Sequence, residues 1–275
     1  MGTNRWVVWL LLVSILTAAC SATSAAPATI PESLPLVDDT TSTTAAPTAT
    51  STSTTATVAP TTTQTIAPDP YRTWIATATE EVSFLRVYDG PDGQAVPLPF
   101  GVPNPHQFGG PLTLMVTEGQ PGDAWLKVQL PIRPNGQEAW IDASLYDVSS
   151  TRIRAEVTLG ETHVAVYDGE ALIAETQAVI GTESTPTPLG TFYVAAKREN
   201  PPEESYLGPW ALVLSGFSEV LETFSGGLPV IAIHGTSRPD QVGQARSNGC
   251  LRVPNDVIEF LAENVPLGAP IHVSA

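Results

Sequence analysis

Cysteine and positive charge are what this sequence has least of. It holds 2 cysteines in 275 residues, Cys20 and Cys250, which excludes the disulfide framework of a small secreted scaffold. Lys and Arg number 12 against 28 Asp and Glu, a formal net charge of −16. Such a surface repels phosphate backbones, so nucleic acid is not an expected partner. Long apolar runs are scarce too. The one near the start, from Trp6 to Leu16, is too short to remain in a bilayer as a spanning helix. Histidine is equally sparse, and His163, His234, His272 and Cys250 show none of the clustered spacing of a zinc site. What is abundant is proline and glycine, 26 and 21 residues, which favours strands and turns over long helices and predicts a mainly β protein.

The N-terminal 20 residues, "MGTNRWVVWLLLVSILTAAC", have one basic residue, Arg5, then the apolar run, then small residues before Cys20. This is the layout of an export signal. The "TAAC" ending resembles a bacterial lipobox, which implies lipidation of Cys20 after cleavage, although Thr17 stands where that motif more often has a branched aliphatic residue. An ordinary cleaved signal is the other reading. Residues 21 to 68 contain no aromatic residue, no glycine and no Lys or Arg, a composition unable to bury enough apolar surface to fold. They read as a tether, reaching roughly 150 Å if extended and about 40 Å as a coil. The expected location is the cell envelope, lipid-anchored on the outer face of the cytoplasmic membrane and reaching the wall.

From residue 71 to 148, short apolar runs alternate with turn dipeptides: Asp89-Gly90, Asp92-Gly93 and Asn135-Gly136. This predicts a small barrel or sandwich. "DAWLKVQLPIRPNGQEAWI" resembles bacterial SH3-like modules. Trp125 and Trp140 are candidates for a ligand groove there, with burial in the core the favoured reading of both.

A second segment, residues 151 to 275, opens with two strands flanking Asp168-Gly169, a predicted hairpin. "VPNDVIEFLAENVPLG" is the clear helix: Pro254 suits its start, Val257, Ile258, Leu261 and Val265 share one face, and Pro266 stops it. "PVIAI" reads as a buried strand whose end presents His234, and "SNGC" as a turn just before the helix. His234 and Cys250 are 16 positions apart, close enough for two edges of one sheet to bring them together. An imidazole that takes or shares the proton of a thiol would supply thiolate at neutral pH. Gly249 permits positive φ, so that successive amides converge on one spot as an oxyanion hole requires. A buried, inert cysteine is the bland alternative, against which the flanking Asn and Gly argue for an exposed turn.

Three separated stretches, "TPTPLGTFYV", "IHGT" and "SNGCLRV", resemble in order the catalytic domain of the bacterial L,D-transpeptidases, the YkuD domain. The resemblance implies a β-sandwich-like catalytic domain following the SH3-like barrel, with one helix near the C-terminus and no cofactor or metal. It implies Cys250 as nucleophile, His234 as general base and the Gly235 carbonyl as the group that orients the imidazole. The amides of Gly249 and Cys250 would hold the oxyanion. Asn248, Ser247, Arg252, Thr236 and Tyr193 fall in or beside the motifs as candidate oxyanion or substrate-binding residues. Many family members carry histidine where Asn248 stands, which removes any proton-donor role for that position.

The implied substrates are peptidoglycan stem peptides. Cys250 would attack the carbonyl of the third residue of a tetrapeptide stem, release D-Ala and form a thioester, and an amine would complete a 3→3 cross-link. Water in place of the amine makes the same site an L,D-carboxypeptidase. β-Lactams of the carbapenem type are expected covalent inhibitors. Sortases share the order His, Cys, Arg, but the close spacing and the lack of a Thr-Cys dipeptide count against sortase-like protein anchoring. A non-catalytic wall-binding protein remains the reading of a different class.

Overall fold

Turn chemistry and strand alternation account for most of the architecture. A computed structural model describes residues 68–275, which belong to one compact unit; Cys20, the export signal and the tether lie outside the described residues. The N-terminal module consists of β1 (Thr73–Ala78), β2 (Val87–Tyr88), β3 (Ala95–Val96), β4 (Thr113–Glu118), β5 (Trp125–Gln129), β6 (Glu138–Asp142) and β7 (Tyr146–Thr151). They form one sheet in the order β3-β2-β6-β5-β4-β1-β7, and its end strands do not pair with each other. Asp92-Gly93 and Asn135-Gly136 form turns between strands, whereas Asp89-Gly90 falls in the same β2–β3 connection as Asp92-Gly93 and makes no separate turn. Asp92 sits at φ 55° between β2 and β3, and Gly136 at φ 79° between β5 and β6. Along β5 and β6 the buried positions are Leu126, Val128 and Ile141. Trp125 and Trp140 are half-exposed on the other face, which corrects the expectation that they are core. The two-residue period leaves one face for the interior, and the aliphatic residues occupy it.

The second module comprises β8 (Ile153–Thr158), β9 (His163–Asp168), β10 (Ala171–Gln177), β11 (Ile180–Gly181), β12 (Gly190–Glu199), β13 (Trp210–Phe217), β14 (Val230–His234), β15 (Ala245–Ser247), β16 (Leu251–Arg252) and β17 (Pro270–Ser274). Eight of these make a sheet in the order β10-β9-β8-β17-β12-β13-β14-β16, and β11 and β15 form a separate parallel pair. The hairpin at Asp168-Gly169 is the β9–β10 connection, with Gly169 at φ 57°. Helix α1 (Asn255–Asn264) begins after Pro254. It buries Ile258 and Leu261, followed by Val265, against the core made by β12, β13 and β14. Burying three such side chains contributes on the order of 5 kcal/mol before entropy is counted.

The modules share a core. Tyr193 and Ala195 of β12 pack among the buried residues of the N-terminal module. Polar contacts tie the same seam: Gln129 Nε2 donates to the Thr191 carbonyl at 2.6 Å, and Asn135 both donates to the Phe217 carbonyl and accepts from its amide, at 2.8 and 2.9 Å. Tyr193 is fully buried and its hydroxyl has no hydrogen-bond partner among the described residues. Its expected role in binding substrate is therefore corrected: the side chain belongs to the seam between modules, because alternation along β12 turns it toward the N-terminal sheet.

Candidate active site

The site is built on two neighbouring parallel strands at the edge of the eight-stranded sheet. Ile233 of β14 lies opposite Leu251 of β16, and His234 opposite Arg252. Ile231, Ile233 and Leu251 are buried in the core, so the alternate positions Val230, Ala232, His234, Cys250 and Arg252 face the other way. The histidine and the cysteine thus share one face, two residues apart along adjacent strands. The expectation that two edges meet is refined: β16 is the edge strand and β14 its inner neighbour.

His234 is 5% exposed, and its Nδ1 lies 2.7 Å from the Gly235 carbonyl. A carbonyl can only accept, so Nδ1 carries the proton and Nε2 is the basic nitrogen. Burial lowers the imidazole to about pKa 4, with the nearby Arg252 guanidinium pushing the same way and the Gly235 and Leu207 carbonyls opposing. The Gly235 carbonyl already accepts from Nδ1–H of the neutral ring, and both carbonyls attract the charge of an imidazolium once a proton is taken up.

Cys250 is half-buried. Desolvation raises its thiol, while the Ala232 amide and the Arg252 guanidinium act in the lowering direction. Its Sγ points to the Val230 carbonyl at 4.0 Å. Burial thus raises the thiol and lowers the imidazole, and both shifts favour the neutral pair over thiolate and imidazolium; the turn that carries Cys250 is half-buried where an exposed one was expected. Burial penalises both charges.

The turn before Cys250 is held from inside. Ser247 is 1% exposed; its Oγ donates to the Cys250 carbonyl at 2.6 Å and accepts from the Gly249 amide at 3.1 Å. Gly249 sits at φ 111°, and a Cβ there would lie 3.0 Å from Ile231 Cδ1 and 3.3 Å from the Pro186 carbonyl oxygen. The Gly249 amide, expected to bind an oxyanion, is occupied by Ser247, because this tight turn uses its own hydroxyl as the acceptor. Ser247 itself supports the loop. The "TPTPLG" stretch braces the same turn: Thr185 Oγ1 donates to the Ser247 carbonyl at 3.1 Å, and Val179 and Arg252 exchange backbone bonds at 2.7 and 3.0 Å.

Asn248 is exposed and makes no side-chain hydrogen bond among the described residues. Thr236 is buried, with its amide donating to Asn255 Oδ1 at 2.8 Å and its hydroxyl accepting from the Arg238 amide at 2.9 Å. That places it in the support of the His-Gly-Thr turn, with both groups engaged inside the protein. Arg252 lies near both His234 and Cys250, and no carboxylate pairs with it among the ion pairs of the described residues.

Two features escaped sequence reasoning. Asn255, the first residue of α1, anchors the turn after His234; a polar amide at a helix start was the available signal. Leu207 and Gly208, ending the 3₁₀ segment Pro202–Leu207, cover the histidine. A Cβ on Gly235 would come within 2.9 Å of the Gly208 Cα, an approach only glycine at both positions permits.

Residues 152–273 match the family model of the L,D-transpeptidase catalytic domain, YkuD. The chain is 30% identical over 122 residues to a putative L,D-transpeptidase YkuD of Bacillus licheniformis, covering 44% of this chain and 65% of that protein. It is 34% identical over 96 residues to the Bacillus subtilis protein of the same description, covering 34% of this chain and 49% of that one. The match therefore spans about half to two thirds of the length of these relatives. Among solved structures, an Enterococcus faecium L,D-transpeptidase is 25% identical, covering 44% of this chain and 49% of that one with a TM-score of 0.36.

Proposed function

We propose that residues 152–273 catalyse cysteine-dependent acyl transfer on peptidoglycan stem peptides, forming cross-links with release of D-Ala. One observation carries the reading: a thiol and an imidazole share a face on adjacent strands, and the imidazole's Nδ1 is pinned to the Gly235 carbonyl so that Nε2 is its base. The likeness of this stretch to the family model supports it.

Nε2 of His234 removes the Cys250 proton as Sγ attacks the carbonyl of the third stem residue. The carbonyl π pair moves to oxygen, and the oxyanion is held by the Cys250 amide. Collapse restores the carbonyl, breaks the bond to D-Ala and returns the proton from His234 to the departing amine, leaving a thioester. An acceptor amine then attacks, His234 takes its proton, and the thiol is regenerated. Arg252 supplies a cation for a substrate carboxylate. The SH3-like module, envelope location and lipid anchoring at Cys20 are part of the same proposal, with residues 21 to 68 as the tether that gives reach.

Mass spectrometry of the full chain with purified muropeptides tests it. An acyl adduct on Cys250 is expected, absent from Cys250→Ser, with cross-linked amide as product. Wild-type turnover by Cys250→Ser ends the assignment. Free acid as sole product makes the site a carboxypeptidase.

A further inference from the structure

A cavity of about 350 Å³ lies between the two modules, on the same sheet face as the nucleophile. Its second-module wall is Val213, Phe217 and Val230, and the pairings Val213 with Ala232 and Phe217 with Val230 put all three on the face that carries His234 and Cys250. Val230 is also the residue whose carbonyl receives the Cys250 thiol. The opposite wall is Phe100, Phe108 and His106 of the N-terminal module. Phe100 meets Phe217 edge to face at 6.2 Å.

Chemistry fixes which end of a substrate points into this cavity. The base that returns a proton to the leaving amine must stand beside that nitrogen, so the leaving group lies on the His234 side of Cys250. The rest of the acyl chain then runs the other way along β14, toward Val230. Val230 is two residues before Ala232, roughly 7 Å along the strand, about two residues of an extended acyl chain.

We propose that the cavity between the modules is the subsite for the acyl donor upstream of the attacked carbonyl, and that it takes a neutral, methyl-bearing segment such as an alanyl or lactyl unit. Among the described residues no Lys, Arg, Asp or Glu lines it, so carboxylates and amines are disfavoured there. His106 and Gln107 supply its polar side chains. His106 Nδ1 accepts from the Phe108 amide at 3.2 Å, which leaves Nε2–H as a donor for one substrate carbonyl. The N-terminal module is thereby a wall of the donor site, held in place by the Asn135 and Gln129 contacts across the seam. Exposed Phe108 and Leu228, one from each module, mark the rim.

The inference rests on the acyl-transfer reading, and its test separates the two. Acylation of Cys250 in the full chain is followed by mass with two donors: an N-acetylmuramyl tetrapeptide, and a dipeptide of its third residue and D-Ala. Wild type should prefer the long donor. Phe108→Ser and Leu228→Ser, both at the exposed rim, should each lower kcat/KM for the long donor about tenfold, the scale of one lost apolar pocket contact, and leave the dipeptide rate within about twofold. Equal losses on both donors, or a wild type indifferent to length, overturns the subsite. If neither donor acylates the wild type, the acyl-transfer reading fails. The cavity is then judged by titrating Cys250→Ala with N-acetylmuramyl-L-alanyl-D-isoglutamine. NMR shifts confined to the Phe108 and Leu228 rim sustain it, and their absence overturns it.

Discussion

Acid should destabilise this protein through His234 well before carboxylates titrate. Burial holds the folded imidazole at about 4, against 6.5 for a free histidine. In the unfolded chain the ring gains a proton as pH falls through 6.5, while the folded protein cannot take one until near pH 4. The folded state binds fewer protons across that window, so stability is full above pH 7 and declines as pH drops. Integrating the difference gives a loss of about 2 kcal/mol between pH 7.5 and pH 5, rising toward roughly 3 kcal/mol near pH 4. Burial also lowers His106 and His272, which adds loss of the same sign, so the His234 share must be isolated. His234→Gln keeps an N–H for the Gly235 carbonyl and removes the titration. The measurement is urea unfolding of both proteins at several pH values from 7.5 to 5. Wild type should lose about 2 kcal/mol more than the variant over that range, whatever their difference at pH 7.5. Equal slopes would show that the ring is solvated and protonates normally in the fold, and the preference for a neutral pair would fall with it.

The raised thiol predicts that iodoacetamide labelling of Cys250 climbs with pH through and beyond the ordinary cysteine range; a rate plateau established below pH 7 would mean a preformed thiolate–imidazolium pair. Asn255→Ala strands the buried-side amide of Thr236 and should cost about 1 to 3 kcal/mol in urea unfolding, with kcat reduced through the displaced His234. Asn255→Asp retains the acceptor and should recover most of both losses; no difference between the two variants would remove Asn255 from the site's support. Asn248 is exposed and makes no side-chain bond among the described residues, so Asn248→Ala and Asn248→His should both keep kcat/KM within a few-fold. A dead Asn248→Ala with an intact fold would make it a catalytic residue, and a large gain for Asn248→His would reveal a missing proton donor.

Local features were legible from the sequence because their physics is local. The Asp168-Gly169 hairpin needs only a residue pair that tolerates positive φ. Helix α1 needs only its proline start and four apolar residues on one face. His234 at a strand end and Cys250 after a Gly-permitted turn follow from the same rules. What the chain order alone did not decide is which face of each strand is covered, since that depends on elements distant in sequence. Trp125 and Trp140 turned outward because Leu126, Val128 and Ile141 filled the interior of their sheet. Tyr193 left the site for the seam between modules because the N-terminal sheet lies over β12. The Gly249 amide was taken by Ser247, and the thiol was raised and the imidazole lowered because burial at the β14–β16 edge desolvates both. Placement of apolar residues determined that a core would form, and only the assembled tertiary structure decided which polar groups it would desolvate and which hydrogen-bond partners would remain to them.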